Sequence, residues 1–109
     1  MKPKLIRKST EEALQEAINK MMTFEWIQVV ENLPASMQDE ALLALPRCNA
    51  ALLELQNHKL AKIRDKLKKH DADLAKGRDN LKKALKKLKK VRDVLNAVSS
   101  ILSLVAKIV

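Results

Sequence analysis

A chain of 109 residues with one glycine, three prolines, one Phe, one Trp and no Tyr is too short for two ordinary domains and too poor in turn residues for a β-fold. Its only cysteine, Cys48, excludes an intrachain disulfide and makes a reducing, cytoplasmic compartment the expectation. The net charge of +9 is unevenly spread: residues 11–45 carry seven acids and one base, whereas residues 59–92 carry fifteen bases and four acids.

Residues 1–9 are basic and lack the apolar run of a secretory leader, so they read as a basic tail and export by that route is not expected. Ser9 and Glu12 have the spacing of a capping box. Leu14, Ile18, Met22, Trp26, Val29 and Leu33 then recur at three- or four-residue intervals, which predicts an amphipathic helix over about 10–32. Pro34 ends it. Ser36 and Asp39 mark the start of a short helix to about residue 45, closing an acidic unit of residues 10–45. Pro46 either breaks the chain or opens the next helix.

From there the chain has one dominant pattern. Leu53, Leu60, Leu67, Leu74, Leu81, Leu88, Leu95 and Leu102 fall every seventh residue. Three residues after members of this series stand Ile63, Ala84, Val91, Val98 and Val105, with Gln56, His70 and Gly77 at the remaining such positions. Leucine at a and these residues at d is the only workable register, since the reverse puts Arg64, Asp71, Arg78 and Arg92 at a. A period of 3.5 sustained this long predicts a left-handed coiled coil. Residues 46–109 are therefore expected to form one long, basic leucine-heptad helix, with a turn near Gly77 as the alternative, since His70–Asp73 and Lys76–Asp79 are its weakest helical stretch. Its length would be about 95 Å, against about 35 Å for the first helix. The fold class expected is all-α: a helical hairpin or three-helix protomer whose long helix joins other copies in an oligomeric bundle. The oligomerisation seam comprises Leu53, Leu60, Ile63, Leu67, Leu74, Leu81, Leu88, Val91, Leu95, Val98, Leu102 and Val105.

Residues 94–109 form an apolar C-terminal segment in which Val94, Ile101 and Ile108 at g and Leu104 at c widen the apolar face. That breadth suits a bundle of several helices or insertion at a lipid surface, with these four residues as candidate membrane contacts. No run of about 18 uncharged apolar residues exists to span a bilayer. Lys82, Lys83, Lys86, Lys89 and Lys90 lie off the seam. Their first reading is a solvated face; anionic lipid is the second. Nucleic acid is the third, because aromatics for stacking are almost absent.

Cys48, His58 and His70 are spaced too widely for a compact zinc motif, and there is no Gly-rich phosphate loop. No catalytic, cofactor or metal site is expected, and no small-molecule substrate. The functional expectation is a non-enzymatic protein acting by self-assembly and protein–protein interaction, peripheral to a membrane in the second reading and bound to nucleic acid in the third.

Overall fold

The computed structural model describes residues 1–109 and contains six α-helices and no strand: α1 (Pro3–Met21), α2 (Phe24–Glu31), α3 (Ala35–Asn57), α4 (Leu60–Lys69), α5 (Asp71–Leu85) and α6 (Val91–Ile108). The all-α expectation holds. The boundaries differ from it in several places, each for a local reason.

The basic start is helical rather than a tail. Pro3 occupies the first turn, where its missing N–H costs nothing. The apolar period begins at Ile6 and continues through Thr10, Leu14, Ala17, Ile18 and Met21, all buried. Buried Thr10 donates its hydroxyl to the Ile6 carbonyl oxygen at 2.8 Å, which satisfies it inside the core. Ser9 lies within α1, so the cap expected there is not used. The helix expected over 10–32 is instead divided at Met22–Thr23, where the Thr23 Oγ1 accepts from the Trp26 N–H and caps α2.

Pro46 neither breaks nor starts a helix; it lies inside α3. The carbonyl it leaves without a donor belongs to Leu42, one turn earlier. Both residues are exposed, so water reaches that gap.

The long helix expected over 46–109 is interrupted at His58–Lys59, at His70 and over residues 86–90. A rod of about 95 Å is incompatible with a molecule measuring 44 × 22 × 20 Å. Three ties fix how the pieces run. The Arg7 guanidinium donates to the His58 carbonyl at 3.2 Å, joining the start of α1 to the end of α3. The N-terminal ammonium lies 3.3 Å from Asp71, so α1 and α5 begin at the same end. Arg92 lies 3.2 Å from Glu40, placing the start of α6 beside the start of α3. The helices α1, α3, α6 and α5 thus pack in a ring, with α1/α3 and α5/α6 antiparallel. α4 crosses one end against α1 and α6, while α2 lies on α1 and α3.

This arrangement covers the leucine seam from within. Buried Leu74, Leu81 and Leu85 of α5 join Val91, Leu95, Val98, Ile101 and Val105 of α6 in a single core with Leu14, Ile18, Cys48 and Leu55. Gly77 is not a turn. It lies in the middle of α5 with ordinary helical φ, and a Cβ there would come within 2.9 Å of the Ile101 Cδ1. Its missing side chain leaves room for the Ile101 side chain where α5 meets α6.

Two stability predictions follow from this packing. Leu81→Ala is expected to cost about 2–5 kcal/mol, as large-to-small changes in a filled core do, while exposed Lys82→Ala stays within about 0.5 kcal/mol. Gly77→Leu should destabilise by about 1–3 kcal/mol through overpacking. Urea unfolding followed by circular dichroism measures all three, and equal midpoints for Leu81→Ala and Lys82→Ala would contradict the placement of the seam.

Candidate functional site

Of the twelve residues expected to form an oligomerisation seam, Ile63, Leu67, Leu74, Leu81, Leu88, Val91, Leu95, Val98 and Val105 are buried in the chain's own core. Leu60 and Leu102 are half-buried, and only Leu53 stands free, 56% exposed. Most of the seam is therefore already covered. The candidate membrane contacts are corrected in the same way: Val94 and Ile101 are 0% exposed and Ile108 is 1% exposed, while Leu104 is half-buried. The broad face of α6 needs two neighbours, and α3 and α5 supply them. No helix is long and apolar enough to cross a membrane.

Exposed apolar surface lies elsewhere, on α2 and α3. The inner side of α3 buries Ala41, Ala44, Cys48, Ala51, Leu52 and Leu55. About half a turn away, Leu42, Leu43, Pro46, Ala50 and Leu53 are all exposed. Between residues 41 and 53 the only charge is Arg47. A helix apolar on both sides ordinarily has cover on both. Beside this face, exposed Met22 at the end of α1 and Ile27 of α2 border a groove of about 410 Å³ floored by Met21, Trp26 and Val30, and exposed Phe24 lies outside its lining. Exposed Glu25, Glu31, Asp39 and Glu40 belong to the same acidic part of the chain. Sequence reasoning missed this surface because Pro46 was read as a boundary; the uncharged run 41–53 was the available signal.

A second feature lies where α5 and α6 meet the connection between them. Lys82, Lys83, Lys86, Lys89 and Lys90 are all exposed, as expected. The structure brings Lys83, Lys86 and Lys90 together, adds Lys87, and leaves Lys82 and Lys89 outside the cleft that these form. The cleft holds about 580 Å³. Leu88, 3% exposed, is the one apolar residue of the connecting segment and pins it to the core. No lysine in the chain forms an ion pair; those present are Met1–Asp71, Arg7–Glu11, Arg64–Asp65 and Arg92–Glu40, with His58 beside Glu54.

The remaining residues with chemical potential are separated. Cys48 is fully buried inside α3, and burial pushes its thiol up to about 11, the opposite of activation at a helix start. His58 closes α3, its Nδ1 lying 2.6 Å from the Glu54 carbonyl oxygen. His70 joins α4 to α5, where its carbonyl accepts from the Leu74 N–H at 2.8 Å; it does not set a coiled-coil register. No three His, Cys, Asp or Glu side chains are grouped to hold a metal ion.

A thiol with raised pKa reacts slowly because the thiolate is the nucleophile. Iodoacetamide at pH 8 is therefore expected to alkylate Cys48 at least about a hundredfold more slowly in native protein than in urea-unfolded protein; equal rates would mean that α3 opens on the inner side. The raised value also fixes a sign. Between pH 9 and 11 the unfolded chain releases this proton before the folded one does, so stability present below pH 9 declines as pH rises through that window, and Cys48→Ala lacks this decline. Comparison of the chain with protein-family models, with curated proteins and with solved structures gives no match.

Proposed function

We propose that this chain acts without catalysis, as a helical bundle that assembles with a second copy of itself through the outer face of α3 and the groove beside it. The observation that carries the reading is the double-sided apolar character of α3, with Leu42 63% and Leu53 56% exposed. Contiguous apolar surface of this kind is costly to leave in water and marks an interaction face. A second copy is the occupant favoured by symmetry and charge. A two-fold contact matches one patch with itself, and the outer α3 face is nearly uncharged between residues 41 and 53. Antiparallel apposition about Leu42 and Leu53 buries the uncharged run of each α3 against that of the other.

The thiol is buried and protonated, and the acids are spread over exposed helix faces without a shared cleft. The coiled-coil pairing expected from the heptads is replaced in this reading by a contact outside the seam, to which Leu53, the one exposed seam residue, contributes.

Light scattering behind a sizing column tests the proposal. The expected mass is twice 12.3 kDa for the wild type. Leu42→Glu combined with Leu53→Glu should return it to the single-chain value with helicity unchanged, because both side chains lie outside the core. A wild type that remains at 12.3 kDa up to about 1 mM, where association would be worth only about 4 kcal/mol, overturns the reading.

A further inference from the structure

We propose that the lysine cleft between α5 and α6 is a binding site for a compact anion carrying several phosphate groups on one small scaffold. The cleft's concavity is one reason. A stripe of lysines on a convex helix separates its charges into solvent, but here exposed Lys83, Lys86, Lys87 and Lys90 line one open depression of about 580 Å³. That volume is in the range of small-molecule sites and far below a duplex groove. It exists because small residues stand where the two helices face each other: Ala84 and Ala97 line it where larger side chains would fill it.

Electrostatics is the second reason. Four ammonium groups around one cleft repel each other, and none forms an ion pair with a carboxylate. The single acid in the wall, Asp93, offsets at most one of them. Asp93 also lies in the first turn of α6, where a negative charge complements the helix dipole. A ligand with several negative charges would relieve the excess that Asp93 leaves. Ammonium groups act as point charges without the flat fork that arginine presents to carboxylates, which suits clustered phosphate oxygens approached from several directions. Asn80 and Asn96 add amide donors to the wall, and neither side chain has a hydrogen-bond partner within the chain. Ser100 donates to the Asn96 carbonyl at 3.1 Å. The two aromatics, Phe24 and Trp26, lie on α2, so the cleft has no stacking platform and a nucleobase gains nothing there.

Preorganisation is the third. Buried Leu88 holds the connecting segment at its middle, so Lys86, Lys87 and Lys90 are set on an anchored backbone. Less ordering remains to be done on binding.

Calorimetric titration with inorganic tripolyphosphate tests the inference. One saturable site is expected, at least about tenfold tighter than for orthophosphate because more than one ammonium is engaged. Lys83→Gln/Lys87→Gln/Lys90→Gln should weaken it by about a hundredfold, from roughly fivefold per basic residue. Lys62→Gln/Lys66→Gln/Lys69→Gln removes the same charge from exposed positions of α4 and should change affinity by less than about threefold. Asp93→Asn should tighten binding. Vesicles with polyphosphoinositide headgroups that compete with tripolyphosphate would identify a lipid headgroup as the natural source, and failure to compete would identify a free anion. Equal losses in the two triple variants, or absence of a saturable site, would overturn the inference, since both mean that only net charge attracts the anion.

Discussion

The close apposition of α5 and α6 is the constraint on which the rest of the molecule depends. Buried Gly77 stands against Ile101, and a single added Cβ would meet its Cδ1 at 2.9 Å. On either side of that contact α5 contributes Leu74 and Leu81 at heptad spacing, and α6 returns a wider face from Val91 to Ile108. Because Ile101 and Val94 lie on that wider face, α6 requires a second neighbour, and α3 provides it. The position of α3 in turn sets α1 and α2. Gly77 leaves room for the Ile101 side chain at one point of this contact, while the apolar breadth of α6 is what draws α3 to its other side.

Charge is arranged around this frame rather than within it. Thr10 is the one polar residue among those that are buried, and its hydroxyl is satisfied by the preceding turn. The ion pairs are partly or well exposed, so each contributes little to stability. Their value lies in orientation: Met1–Asp71 and Arg92–Glu40 each connect elements far apart in sequence and agree with the parallel run of α1 with α5 and of α3 with α6. The lysines take no part in such pairs, which leaves positive charge free on the outside of α4, α5 and the 86–90 connection. The Arg78 Nη1 atom is enclosed without a hydrogen-bond partner, and nothing around it accounts for that cost.

The two proposed surfaces differ in origin. The α3 face arises because one helix is apolar on two sides while the fold covers only one. The lysine cleft arises because small residues at Ala84 and Ala97 leave space beneath basic ones. They draw on separate elements and separate forces, apolar burial in one case and charge neutralisation in the other.

The sequence by itself determined that the chain is helical, that Leu67, Leu74, Leu81, Leu88 and Leu95 are core, and that Lys83, Lys86 and Lys90 lie outside it, whereas Leu53 has the same phase and is exposed. Each follows from periodicity, because a buried stripe recurring at 3.5 residues has the same inward face whatever covers it. Only the tertiary structure decided what covers it. A stripe on another chain and a stripe farther along the same chain satisfy identical heptads, but the intrachain choice avoids the loss of translational and rotational freedom that association entails, about 4–15 kcal/mol. Closing a five-residue connection costs far less. The helix ends at His58 and Lys86 were therefore invisible in the pattern, and the weak stretch at His70–Asp73 was its one visible break: the leucine phase persists across all three because most of the pieces' leucines face one common core. Likewise Pro46 carried a correct local warning, the loss of one hydrogen-bond donor, which the solvent-facing side of α3 absorbs. The outer face of α3 became apparent only when residues on both sides of that proline proved to belong to a single helix.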